Sequence, residues 1–475
     1  MIGNRDIFWG YLAQVINIGL GLIMLPIIVI FMSDVEVGLW IVFITLISFS
    51  QLLDLGFQPT ISRNVSYVYA GAQELTAVDV GEIVNTKVNI VLLGNLIAAS
   101  RRIYRIVSFF SAIILLVFGS LYISILLNDS NELYEKNEIY YAWFLFVIGT
   151  VINFYYGYLN AFLQGRGNIA EANKIIVASK SVQIIIGIVM VANGFGLLGL
   201  GVASLASTIV SRILANRFVY SESRPEMKNL VSTVDGAKEI MRILWHNSSR
   251  FGVVMLGVFL IWRGNVLIAS YYLGLAEAAS YGIAIQIFFI LNAVATVPFN
   301  ISLPKLNRLR MQSRNSELLE LFSFVLVIVL LIYSVGAVAF ITIGGYVFDM
   351  IEGSTVLPDD MILLLMIFTF FLELNHGTCA NFLTTENKIP FVYAAVFTGV
   401  FIIIGSLILS PFLGMLGLAL SQLIFQLAYN NWKWPREVSI LFGRKYIELL
   451  AIGFVLLKRL IMKYTKNKIK FLMGA

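Results

Sequence analysis

Arg263, Glu373 and His376 are charged or titratable residues set inside long apolar runs, where such side chains are costly and usually functional. Residues 251–273 read FGVVMLGVFLIWRGNVLIASYYL, long enough to cross a bilayer core as a helix, with Arg263 as the sole charge near the middle. A charge at mid-bilayer costs at least ~2.5–3.5 kcal/mol on insertion scales. Residues 361–383 read MILLLMIFTFFLELNHGTCANFL and carry Glu373 and His376, three apart and so on one helix face. Arg263 is expected ~20 Å from the start of its span and Glu373 ~18 Å from the start of its own, at 1.5 Å per residue. Two chemistries fit. One is a structural ion pair of Arg263 with Glu373. The other is a polar lumen in which Arg263 attracts an anion while Glu373 or His376 takes up a proton or cation.

Other polar residues sit in neighbouring spans. Asp54 precedes Arg63 by nine residues in QLLDLGFQPTISRNVSYVYAG, and Pro59 is expected to kink the helix between them. Arg63 can snorkel to headgroups, whereas an acid such as Asp54 cannot reach far. Gln14 and Asn17 lie in the first span with Pro26. Tyr155 and Asn160 lie in INFYYGYLNAF, where aromatic faces and amides suit sugar hydroxyls. The same residues also suit an interfacial aromatic belt and interhelical hydrogen bonds.

These residues must be positioned by membrane helices. The chain has 475 residues, 59% hydrophobic and 13% charged, about half the charge of a soluble domain, with a mean hydropathy of +0.87. Repeated runs of this length exclude a soluble domain and a barrel of short alternating strands. The fold class is therefore an all-α polytopic membrane protein. Twelve spans are expected, at 8–32, 38–58, 104–127, 139–163, 175–193, 196–215, 251–273, 279–303, 319–343, 361–383, 390–409 and 413–432. The first run is too long for a cleavable signal and is expected to be a permanent span.

Lys and Arg set the orientation. Arg101, Arg102, Arg166, Lys174, Arg217, Lys238, Arg242, Lys305, Arg308, Arg310 and Arg314 fall in alternate gaps. The opposite gaps hold Asp34, Glu36, Glu138, Glu277, Asp359 and Asp360, with Lys136 as their only base. Both termini are then cytoplasmic. The net charge of +6 reflects these loops and not nucleic-acid binding. The segment from Tyr446, with IELLAIGFVLL before Lys458, is expected to lie on the inner membrane surface.

The chain also repeats. Ile184–Ser204 and Ile402–Gln422 agree at eight of 21 positions with an offset of 218, including Gly187, Gly196 and Gly199. Spans five and six thus pair with eleven and twelve. This predicts two six-helix lobes, 1–215 and 251–432, related by a pseudo-two-fold along the membrane normal, joined by a cytoplasmic linker 216–250 and followed by a basic tail 433–475. Parallel repeats of this kind place the substrate site near the midplane. No P-loop is present, no cofactor motif stands out, the lone Cys379 has no metal-ligating cluster around it, and no Ser/His/Asp set is visible. The short outer loops argue against a third reading, a membrane glycan polymerase or ligase.

The opening, from NRDIFWGYLAQVINIGLGLIMLPIIVIF through VGLW and DLGFQPTISRNVS, resembles the start of O-antigen flippases, and so do the FLQGRGNI and FLTTENKI turns after spans four and ten. These are polysaccharide transporters of the multidrug/oligosaccharidyl-lipid/polysaccharide (MOP) exporter superfamily. The resemblance implies a non-enzymatic transporter of the bacterial inner membrane. It would move undecaprenyl-pyrophosphate-linked oligosaccharide repeats to the periplasmic leaflet by alternating access, coupled to H⁺ or Na⁺. A glycan polymerase and a chain-length regulator are its implied partners, beside membrane lipid. Arg263, Arg63, Asn17, Gln14, Tyr155 and Asn160 would line the lumen, and Glu373, His376 and Asp54 would serve the coupling ion. The alternative is a cation-coupled multidrug exporter of the same superfamily, which would favour a lumen of acids and aromatics.

Overall fold

The computed structural model describes residues 4–76, 88–129, 136–221, 225–228, 230–351, 353–386 and 390–473. Asn387–Ile389, the end of the FLTTENKI turn, lies outside them. The described chain is helical, and eleven of its helices are long and apolar enough to cross a membrane. A twelfth crossing is divided: Met415–Ala428 has 14 residues and continues past Tyr429 into Asn430–Phe442. The protein is thus an all-α polytopic membrane protein of about twelve spans. Two compact units divide it, Met1–Ser280 with Ile351–Thr355, and Tyr281–Met350 with Val356–Ala475.

In the first unit, α1 (Asn4–Phe31) leads through a Ser33/Glu36 capping box into α2 (Asp34–Ser50). The second span is broken. After a 3₁₀ turn, Gln51–Asp54, the residues Leu55 (φ 47°) and Gly56 (φ 76°) take left-handed conformations before α3 (Phe57–Tyr69). The kink expected at Pro59 thus occurs three to four residues earlier. Pro59 is the third residue of α3, where its missing N–H has no intrahelical partner to lose.

The third span starts well before the expected residue 104. It runs as α4 (Ile90–Ile113), a π-helical segment Ile114–Gly119 and α5 (Ser120–Asp129). Hydropathy missed its first turns because Arg101 and Arg102 lower the window mean, and both belong to the helix. The chain continues through α6 (Lys136–Tyr155), α7 (Tyr158–Gly165), α8 (Ile169–Ala192) and α9 (Gly196–Val219).

The linker segment holds α10 (Pro225–Lys228), and α11 (Val234–Trp262) extends the seventh span by several turns toward it. It is fastened to the first unit. Glu226 accepts from Arg166 and from the Tyr69 hydroxyl, the Arg166 guanidinium lies 5.1 Å from the Tyr69 ring centre, and Thr233 N–H donates to Asn95 Oδ1 at 2.8 Å. The unit closes with α12 (Gly264–Tyr272) and the start of α13 (Leu275–Ala295). The expected second lobe began at residue 251, so the compact units and the expected lobes differ over 251–280 and over Ile351–Thr355.

α1 and α8 run parallel. Asp6 Oδ1 accepts from Ala170 N–H at 3.1 Å, and a methyl on Gly10 or Gly187 would meet Asn173 or Met24, respectively. Two parallel neighbours need an odd number of crossings between them, and three spans lie between the first and the fifth.

The second unit takes α13 onward through α14 (Val297–Met311), α15 (Asn315–Ala339), a second π-helical segment Phe340–Gly344, α16 (Gly345–Ile351), α17 (Asp360–Leu383), α18 (Val392–Leu413), α19 (Met415–Ala428), α20 (Asn430–Phe442) and α21 (Tyr446–Met473). The segment expected as a basic surface tail begins inside this unit. Trp434 and Val438 are buried, and Leu449 is fully buried. Gly453 comes so close to α15 that a methyl there would sit 2.2 Å from the Ser323 carbonyl oxygen. One face of the run after Tyr446 thus packs on α15 through Leu449 and Gly453, while Ile447, Phe454 and Val455 on the run stay exposed.

The repeat has a structural counterpart in each unit. Gly196 and its partner Gly414, 218 residues on, both have positive φ (37° and 58°) and both open the second helix of a hairpin. A methyl on Gly187 would approach Ala203, and one on Gly405 would approach Ser421, again 218 residues on. The same positions thus make the same close helix crossing twice.

Candidate functional site

In the first unit the seventh span breaks at Arg263. α11 ends at Trp262, Arg263 takes φ −122° and ψ −25°, and Gly264 begins α12. Arg263 N–H still bonds the Phe259 carbonyl at 2.8 Å, and the Arg263 carbonyl accepts from Val266 N–H at 3.1 Å. The sequence suggested one unbroken helix. Arg263 is half-buried and Asn265 beside it is buried. α12 is held from α5, where the Tyr122 hydroxyl donates to the Leu267 carbonyl at 2.6 Å.

Further basic residues lie within spans of this unit. Arg212 is 8% exposed on α9, donating from Nη2 to Asn153 Oδ1 at 2.6 Å and from Nη1 to the Tyr156 carbonyl at 3.2 Å. Arg101 donates to the Tyr158 hydroxyl (Nε, 3.2 Å) and the Tyr220 hydroxyl (Nη2, 2.6 Å), and lies 5.6 Å from each ring centre. One turn on, Arg105 lies 5.8 Å from the Tyr155 ring centre. Arginines four apart on α4 thus meet tyrosines three apart at the α6–α7 junction. Lys180 donates to Gln183 Oε1 at 3.1 Å. Because α8 begins at Ile169, Lys180 falls in mid-span and not near the end, and the parallel packing sets it at the height of Asn17.

The residues singled out from the sequence fall in different surroundings. Asp54 accepts from the Tyr104 hydroxyl at 2.7 Å, which ties the end of the second span to the third. Gln14, Asn17 and Arg63 are exposed on their helices. Tyr155 is exposed and faces Arg105, while Asn160 is half-buried and bonds Gly157 through its backbone. Tyr155, Arg105, Arg101 and Tyr158 belong together; Asn160 is not part of that set.

In the second unit Glu373 is 3% exposed on α17. Its Oε1 accepts from Gln422 Nε2 at 2.8 Å and Gln426 Nε2 at 2.9 Å, whereas its buried Oε2 has no hydrogen-bond partner among the described residues. The ladder continues along α19 and α20. Gln426 Oε1 accepts from Asn430, Asn430 also donates to Thr398, and Trp434 Nε1 donates to Asn430 Oδ1 at 3.1 Å. His376 turns elsewhere, with its Nδ1 between the Leu372 carbonyl (3.1 Å) and Asn431 Oδ1 (2.6 Å). The shared helix face expected for Glu373 and His376 thus serves two adjacent networks. The spacing 422, 426, 430, 434 was a visible signal for the ladder, four polar-capable residues one turn apart in an apolar run. A carboxylate held by neutral amides, with one oxygen free, can take up a proton or small cation.

No protein-family model matches the chain, and no curated protein matches it. Solved structures do. An inward-facing multidrug-resistance MATE-family transporter of the MOP superfamily aligns with a TM-score of 0.63 at 14% identity, over 92% of this chain and 98% of its own. The lipid II flippase MurJ, in an inward closed conformation, aligns with a TM-score of 0.63 at 15% identity, over 98% of this chain and 95% of its own. A MOP-superfamily transporter from Pyrococcus furiosus, noted for a binding pocket of reversed polarity, aligns at 0.51 and 13% identity, over 94% and 98%. At such identities the likeness is one of fold. The chain has the fold of MOP-superfamily transporters, in line with the fold that its opening and turns led one to expect.

Proposed function

We propose that this protein is a flippase that carries an undecaprenyl-pyrophosphate-linked oligosaccharide repeat, of the O-antigen type, from the cytoplasmic to the periplasmic leaflet of a bacterial inner membrane. The carrying observation is the break of the seventh span at Arg263. A discontinuous membrane helix with a cation at the break suits an anionic group such as pyrophosphate. Arg212, Arg101 and Lys180 add cationic character to the same unit. The exposed Gln14, Asn17, Tyr155 and Arg63 serve as substrate-facing candidates, and Asn160 supports them from α7. Glu373, on its amide ladder, is the proposed H⁺ or Na⁺ site, with His376 and Asp54 as secondary candidates.

Two six-helix lobes, 1–215 and 251–432, alternate in this mechanism, with 216–250 as linker and both termini cytoplasmic. The glycine-matched hairpins support the lobe pairing. Membrane lipid, a glycan polymerase and a chain-length regulator are the proposed partners.

A second reading has its own observation. The buried acid Glu373 would also suit a cation-coupled multidrug exporter, and the MATE and MurJ structures match equally well. Deletion of the gene in its host separates the two. Loss of surface glycan with lipid-linked repeats trapped on the cytoplasmic side is the flippase outcome. An unchanged glycan with sensitivity to cationic drugs is the exporter outcome.

A further inference from the structure

The second unit carries a cavity of about 300 Å³ where α17 ends, α18 approaches and α20 begins. That volume is at the lower end of small-ligand pockets. It is lined by Tyr429, Trp434, Lys433 and the carboxylates of Glu386 and Glu437. We propose that this pocket binds a sugar ring of the translocated oligosaccharide; the inference rests on the flippase function proposed above.

Three features select a sugar. Tyr429 is 38% exposed and its ring stands at 82° to that of the buried Trp434, so the Tyr429 ring, backed by Trp434, offers an apolar face for the C–H side of a pyranose. Each carboxylate is already neutralised: Glu386 Oε1 pairs with Arg310 at 2.9 Å, and Glu437 Oε1 pairs with Lys433 at 2.6 Å. Among the described residues both pairs engage Oε1, which leaves the second oxygen of each acid for sugar hydroxyls, and Lys433 keeps donors for ring or acetamido oxygens. A cationic drug would instead need an acid without its own cation. The position fits as well. Arg308, Arg310 and Arg314 lie at this end of the unit, the side assigned to the cytoplasm, where a lipid-linked glycan would be loaded.

The test uses the full chain in lipid nanodiscs and three probes: undecaprenyl-pyrophosphate oligosaccharide isolated from deletion cells, undecaprenyl pyrophosphate without sugar, and tetraphenylphosphonium. Tyr429→Ala and Glu437→Gln are expected to weaken the glycosylated lipid about tenfold, each by loss of one stacking or charge-assisted contact. Tyr429→Phe, which keeps the ring, should stay within about twofold on the same scale, and all variants should bind the sugar-free lipid like the parent. Unchanged affinity for the glycosylated lipid in Tyr429→Ala overturns the proposal, as does equal weakening of both lipids or a loss confined to tetraphenylphosphonium. Failure of the flippase function itself looks different: the parent protein then binds neither lipid.

Discussion

Glu373 accepts from Gln426 on the same oxygen that Gln422 reaches, which leaves its second carboxylate oxygen buried and, among the described residues, without a hydrogen bond. Removing either amide strips one of only two bonds from a buried acid. Gln426→Leu should therefore destabilise the protein by ~1–3 kcal/mol, read as a lower melting temperature in detergent. Glu373→Gln should melt like the parent, because a neutral group replaces a buried charge, yet transport should lose its dependence on the H⁺ or Na⁺ gradient. A gradient dependence that survives in a well-folded Glu373→Gln protein would remove Glu373 from coupling.

Arg263→Ala should abolish glycan export and Arg263→Lys should retain part of it, measured in deletion cells at matched membrane levels. A Lys keeps the charge but not the planar fork. Because two glutamines already hold Glu373, the double change Arg263→Ala, Glu373→Ala is expected to stay inactive. Recovery of export in the double variant would instead mark the two as an ion-pair lock.

Arg212 satisfies the Asn153 side chain and the Tyr156 carbonyl at once. Lysine cannot reproduce two divergent N–H donors. Arg212→Lys should therefore cost ~1–3 kcal/mol, and Arg212→Met should cost at least as much by leaving both oxygens unpaired. Thermal unfolding of purified variants checks the order.

Two glycine substitutions should act in opposite directions. Gly414 has φ 58° and ψ −138°, a conformation that L side chains strain to adopt, so Gly414→Ala should destabilise by ~1–3 kcal/mol. Gly377 lies inside α17 with nothing within 4 Å of an added methyl, so Gly377→Ala should stabilise by ~0.5–1 kcal/mol. Melting temperatures that fail to diverge would show that the hairpin relaxes around Gly414.

The all-helical plan, the span count and the hairpin repeat were legible in the sequence because long apolar runs and glycine spacing are local signals. Breaks inside spans were not. The turns at Leu55–Gly56, Arg263 and Tyr429 leave hydropathy unchanged, since a window average does not register backbone dihedrals. Arg101 illustrates the reverse error: its charge argued for a loop, whereas two tyrosines from distant helices receive it inside the helix. Asp54, Arg263 and Glu373 stood out as charges in apolar runs. The spacing of Gln422 and Gln426 was visible, but their pairing with Glu373 was not, because they become its neighbours only when α17 packs on α19.

The fastening of the segment before the seventh span has a mechanical consequence. Glu226 is tied to Arg166 and Tyr69, and Thr233 to Asn95, so α11 is clamped at its near end like a beam set in a wall. At its far end α12 is pinned to Tyr122. Flexure of this beam then concentrates at its one weak section, Trp262 to Gly264, which is also where the guanidinium is mounted. Bending the rod and re-aiming the charge become a single movement.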